Sequence, residues 1–212
     1  MPSVKLPRKS TDTDMTPFVD VAFLILSFFM LATKFKPPEP VEITTPGSVN
    51  SQMLPESNAV MIIVDSSNRV FFSVLSEKDP AKYDAIIKGI NSSRALGLSN
   101  AEMANYKKTF AVGVSLGNLK QLLGMPAEEQ NKLTQPGIPI LDSANNELYY
   151  WVMEAKRAFA GEPLKYLIKG DAQSKYPTFE AVVSALKRND EFKYNLVTAL
   201  DDIPANSELD KY

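Results

Sequence analysis

The chain has 212 residues, with 23 basic against 25 acidic side chains and neither cysteine nor histidine. That composition removes Ser-His-Asp and Cys-His nucleophiles, thiolate zinc sites and Cys-x-x-Cys redox chemistry together. Through Lys36 five basic residues face three acidic ones, and the remainder carries 18 and 22, a mildly acidic balance without a basic stripe that argues against nucleic acid.

Residues 1–14 read as a polar tail. The one long apolar run follows, from Met15 to Phe35. As a helix its 21 positions cover about 31 Å at ~1.5 Å per residue, which matches a hydrocarbon core of ~30 Å. Thr16 is placed as N-cap and Pro17 in the first turn, where a missing N–H is harmless. A cleaved signal peptide is the rival reading, because Lys5, Arg8 and Lys9 precede the run. Proline and aspartate at its start, and the poor cleavage site Leu31-Ala32-Thr33-Lys34, count against it. A buried soluble helix is the weaker alternative, since one apolar all round needs protein on every side. Three basic residues before the run, against Lys34 and Lys36 at its far end, predict a cytoplasmic N-terminus, with the larger C-terminal part translocated.

Asp20 lies inside this run. A carboxylate there costs about 2.5–3.5 kcal/mol at mid-bilayer, so such a residue faces a partner or a water-filled path. Thr16 lies one turn before it and Ser27 two turns after, on one helix face. The bland reading is a helix-packing seam for Thr16 and Ser27 and a static hydrogen bond for Asp20. The functional reading is an ion carrier: a low dielectric favours the neutral carboxyl, and alternating exposure lets it take a proton from one side and release it to the other. One helix cannot form such a path, so other subunits must supply the walls.

Residues 36–58 read as a Pro-rich linker, with Pro37, Pro38, Pro40, Pro46 and Pro55 favouring extended chain. Val41-Glu42-Ile43-Thr44 alternates apolar and polar, the pattern of a short strand; an unpaired spacer is the other reading. Residues 59–212 are expected to form an α/β (α+β) domain with a small mixed sheet and packed helices. Ala59–Val64 and Arg69–Phe72 flank the turn Asp65-Ser66-Ser67-Asn68 as a hairpin. A helix starting at Asp79-Pro80 runs to about Ser93, with Tyr83, Ile86, Ile87 and Ile90 on one face. Ser99-x-x-Glu102 predicts a capping box. Phe110–Val114 is either a short strand or a helix end. Pro126, Pro136 and Pro139 break the following stretch. Ser143–Ala160 is the clearest helix of the stretch 76–161, with Leu148, Trp151, Val152, Ala155 and Phe159 at helical spacing and Trp151 in the core. Pro177 opens a helix carrying Phe179, Val182, Val183 and Leu186, and Asn195–Ala199 closes the sheet. Asp171 most simply fixes a turn and Tyr176 packs its ring; partner recognition is the sharper alternative for both. No residue set has nucleophile-and-base spacing, so the chain reads as a non-enzyme without cofactor or metal.

Asp14-Met15-Thr16-Pro17-Phe18-Val19-Asp20-Val21, followed by the apolar run and Phe29-Met30, resembles the N-terminal signature of the ExbD/TolR family. A second match covers Tyr166-Leu167-Ile168-Lys169-Gly170-Asp171, then Tyr176-Pro177 and Leu196-Val197, and resembles the elements closing that family's periplasmic domain. The resemblance implies a single-span inner-membrane protein working with ExbB- or TolQ-like multi-helix subunits as an ion-driven motor. Asp20 then matches the proton-carrying aspartate, with Thr16 and Ser27 as channel-facing support. It also implies a homodimer within a larger hetero-oligomer, whose periplasmic domain drives a TonB-like or TolA-like protein. Val41 and Ile43, in the extended segment, become candidates for pairing with a partner strand, and Asp171 and Tyr176 for partner contact. An insert at about 76–161 exceeds what a compact member needs. Two alternatives stay open: a TolR-like role in envelope integrity or motility, and a membrane-tethered periplasmic binding module.

Overall fold

The computed structural model describes residues 15–32, 41–48, 55, 57–76, 79–142 and 145–200. Two compact units divide the chain, one over 1–36 and one over 37–212.

In the first unit, α1 runs from Thr16 to Ala32 and has 17 residues. The Met15 carbonyl accepts the Phe18 and Val19 amides, each at 3.1 Å. Met15 therefore occupies the capping place, and Thr16, expected there, is the first helical residue. At ~1.5 Å per residue α1 covers about 25 Å. Among the described residues no helix is long and apolar enough to cross a membrane. The expected span of 15–35 ends on residues 33–35, which lie outside the described residues, as do the tail 1–14 and the segment after Asp201.

The second unit is built on a four-stranded mixed sheet of order β3-β2-β4-β5. β2 (Ala59–Val64) pairs antiparallel with β3 (Val70–Leu75) and parallel with β4 (Lys165–Gly170), which pairs parallel with β5 (Asn195–Val197). The hairpin turn holds because Asp65 accepts both the Arg69 amide and Nε at 2.7 Å. Asn68 takes a positive φ of 63° there, a conformation its short amide side chain tolerates. β2 is central and buried at every position, a continuous apolar run covered on both faces.

Val60, Ile62, Val64, Phe72, Tyr166 and Ile168 face the larger core. Over them lie three helices: α2 (Ala81–Arg94), α6 (Leu148–Ala158) and α7 (Tyr176–Lys187). Three short helices connect them, α3 (Asn100–Tyr106), α4 (Leu119–Leu123) and α5 (Ala127–Lys132). The capping box at Ser99 and Glu102 forms with both reciprocal bonds. On the opposite face Met61, Ile63, Phe71, Leu167 and Val197 make a smaller cluster, covered by Val41, Ile43 and Phe110.

Several boundaries differ from the sequence expectation. Val41–Thr44 is not a strand, because Val41 and Ile43 use their side chains to cover the sheet instead of pairing. The pairing falls further on, where β1 (Gly47–Ser48) runs parallel to β6 (Ala199–Leu200) in a separate two-stranded sheet. The expected strand 195–199 is thereby split at Thr198 between two sheets. Phe110–Val114 contributes a single bridge, Val112 to Phe72, with bonds of 2.8 and 2.9 Å. The 143–160 helix is shorter, since Asn146 Oδ1 accepts the Leu148 amide at 3.1 Å and stops it N-terminally; positions 143 and 144 lie outside the described residues.

Phe72, Trp151 and Tyr106 stack through the core with centroid separations of 5.2 and 5.9 Å. Burial raises the Tyr106 phenol well above its ordinary value of 10.0, and burial chiefly raises Tyr166 as well. Folded tyrosines therefore keep their protons where unfolded ones release them, so the folded state binds more protons above pH ~10 and stability falls with rising pH. A urea midpoint measured against pH is expected to hold steady to about pH 9 and drop beyond about 10; a midpoint unchanged into strong alkali would contradict that burial.

Candidate functional sites

α1 carries one charged residue, Asp20, among apolar neighbours. Asp20 is exposed, and Ser27, two turns on along the same face, is half-buried between larger side chains. No residue of α1 is buried: its large apolar side chains range from 52% exposed at Ile25 to 87% at Leu31. A helix apolar on every side is stable against water only when lipid or other protein covers it. Chemically, then, α1 offers one carboxyl on a surface that requires cover.

The second candidate is a groove of about 360 Å³ in the folded domain, between the C-terminal end of β4, the start of α7 and β5. Ile168, Phe179, Leu196 and Val197 make it mainly apolar, with Lys175 and Tyr176 at its lining. Asn68 sets the start of α7 from across the hairpin turn, its Oδ1 accepting the Lys175 amide at 2.6 Å. Tyr176 is 71% exposed, and its ring lies 6.5 Å from that of Phe179, which in turn lies 6.4 Å from Tyr194. Tyr176 is thus available to a partner and not packed away.

Asp171 sits differently. It is 7% exposed, and its two oxygens accept the Gln173 amide at 2.9 Å and the Thr44 amide at 3.0 Å. The Ala172 amide returns a bond to the Thr44 carbonyl at 3.0 Å, and Ala199 donates to Pro46 at 3.0 Å. Asp171 therefore both closes its turn and holds the segment 41–48 against the domain. Val41 and Ile43 lie half-buried on the sheet, so their apolar faces are engaged within the chain. Sequence reasoning missed Leu196 as a groove residue, although 57% of it is exposed beside buried Val197; two adjacent apolar residues in a strand, which point to opposite faces, were the available signal. It also missed the Thr44–Asp171 bond, which joins positions 127 apart and leaves no local trace.

Asp171→Ala is expected to leave the Thr44 amide without its acceptor at a cost of about 1–3 kcal/mol. The checking measurement is hydrogen exchange: amides of residues 44–48 should lose protection while those of β2 keep theirs. Equal protection in the variant would show that the Asp171 carboxylate is not needed to hold the segment.

Among the described residues no group of three or more histidine, cysteine or carboxylate side chains could hold a metal. A family model described as biopolymer transport protein ExbD/TolR matches residues 7–201, a range that includes Asp20 and the groove. No curated protein and no solved structure gives a significant match. The chain belongs to the ExbD/TolR family of biopolymer transport proteins.

Proposed function

We propose that the chain is the Asp20-bearing subunit of a proton-motive-force-driven inner-membrane motor of the ExbB–ExbD kind, energising transport across the outer membrane through a TonB-like protein. The observation that carries this reading is Asp20, the one charge on a helix whose every face needs cover, in a chain of this family. α1 serves as a single-pass anchor with a cytoplasmic N-terminus and a periplasmic C-terminal domain. Seventeen residues are the short limit for a span, and a short span is accommodated by bilayer thinning or by oligomerising. ExbB-like helices around a homodimer supply both that accommodation and the walls of a proton path. Asp20 takes up and releases the proton, Thr16 and Ser27 support it on the path-facing side, and each charge crossing the membrane delivers about 2.3 kcal/mol per ~100 mV.

In the periplasm the groove beside Tyr176 and Leu196 receives the energised partner. The family description covers TolR as well as ExbD, so a TolA-like partner serving envelope integrity is the second reading. Cross-linking from a photoreactive residue at position 176, followed by identification of the captured protein, tests both; capture at the groove of neither a TonB-like nor a TolA-like protein rejects them. The chain acts without catalytic, cofactor or metal chemistry of its own.

A further inference from the structure

The groove beside Tyr176 and the segment 41–48 share residues. Pro46, from the segment, lines the groove, and so do Asp171 and Ala172, to which the segment is bonded. Asp171 Oδ2 accepts the Thr44 amide at 3.0 Å, and the Ala172 amide donates to the Thr44 carbonyl at 3.0 Å. On the other side the Pro46 carbonyl accepts the amide of Ala199 at 3.0 Å, next in the chain to the lining residue Thr198. The β1–β6 ladder continues that bond over two residue pairs, Gly47 with Ala199 and Ser48 with Leu200. One wall of the groove is therefore a strap, residues 41–48, tied on from outside the four-stranded sheet.

We propose that strap docking and groove occupation form one coupled equilibrium: the groove holds an apolar segment of its partner while residues 41–48 are docked, and an occupied groove keeps them docked. The inference rests on the groove as the partner's seat and adds the regulation of that seat. A ligand in contact with Pro46 loses that contact when the strap lifts, and the apolar area it can bury shrinks. It therefore binds the docked state better, and linkage requires that it stabilise docking by the same factor. The turn after β4 carries a second part of the coupling. Asp171 bonds Thr44 through its side chain, while its carbonyl accepts the Ser174 amide at 3.0 Å. The turn that anchors the strap thus also delivers Lys175 and Tyr176 to the groove. In chain order the strap is the first described stretch after α1. Whatever shifts it reaches the groove without first disturbing β2.

The chain has no cysteine, so Lys175→Cys labelled with acrylodan, an environment-sensitive fluorophore, puts a single apolar probe at the groove. The full chain is used in zwitterionic nanodiscs without any partner, so the result is independent of what cross-linking at position 176 captures. Emission is expected to be blue-shifted from that of the probe in water. Thr44→Pro with Ala199→Pro deletes two amides that tie the strap and alters no described lining residue; it is expected to return the emission to the water position. Reciprocally, the label is expected to slow hydrogen exchange of amides 44–48 by about fivefold or more relative to unlabelled Lys175→Cys, the lower end of ordinary coupling between sites, with β2 unaffected. Near-ultraviolet dichroism of Trp151 checks that the double variant folds; if it does not, Thr44→Pro alone is read in its place, and the exchange measurement needs neither. Parent-like emission in a folded strap variant overturns the coupling and leaves the groove standing as a partner site. Strap amides whose exchange ignores the label do the same. Water-like emission in the labelled parent overturns the coupling and the groove reading together.

Discussion

Asp20→Asn is expected to reduce energised transport to the level of a deletion while leaving the amount of membrane-associated protein unchanged. Asparagine keeps the size and hydrogen-bonding capacity of aspartate and removes only titration, so the substitution separates a proton carrier from a docking residue. The effect should be all or none: each charge crossing contributes about 2.3 kcal/mol per ~100 mV, and a side chain that never ionises couples to none of it. Asp20→Glu retains a carboxyl but displaces it by one methylene, so partial activity is the expected result there. Proton flux through vesicles holding the chain together with an ExbB-like multi-helix protein gives the direct readout. Parent-level transport by Asp20→Asn would falsify the carrier role and favour a tethered binding module, whose isolated domain should then complement a deletion.

Trp151→Ala is expected to have the largest effect on stability. Trp151 is fully buried and contacts Phe72 of β3 and Tyr106 of α3, tying the helical layer to the sheet. Truncation of such a residue costs about 3–5 kcal/mol through lost contact and residual cavity, a large share of the ~5–15 kcal/mol that holds most domains folded. Trp151→Phe should cost clearly less. It keeps a ring in the stack and also removes the indole N–H, which is buried and has no hydrogen-bond partner among the described residues, a liability in its own right. Urea midpoints of the two variants give the order directly. An Ala variant no less stable than the Phe variant would mean that the stack is dispensable.

The fold was legible wherever one local rule sufficed. Ala59–Val64 reads as a hairpin strand because apolar, mostly β-branched residues run unbroken up to a turn-forming Asp65, and it is one. Ser99 and Glu102 announce their cap from a spacing of three, and α7 follows from Pro177 and its apolar rhythm. Long-range pairing was not legible. Val41-Glu42-Ile43-Thr44 has the alternation of a strand, yet an equally good way to bury Val41 and Ile43 is to lay them flat on the sheet, and that packing won. Nothing near Gly47 foretells that Ala199 will pair with it. Of the candidate site residues, Asp20 stands out because a charge is conspicuous in apolar sequence. Tyr176 and Asp171 look alike as polar residues near a strand end. Only three-dimensional packing separates exposed Tyr176 from Asp171, which is occupied by Thr44 and Gln173.

The order in which the N-terminal part of the folded domain is bonded has a mechanical meaning. Traction applied at Val41 meets the Thr44–Asp171 and Thr44–Ala172 bonds first, then Ala199 to Pro46 and the two-residue β1–β6 ladder. Only after these part does tension arrive at β2, the strand clamped between β3 and β4. Few and partly solvated, the outer bonds belong to the weakest, first-opening class of native contacts. Under such a pull they would part before the central sheet does, and would re-form on release.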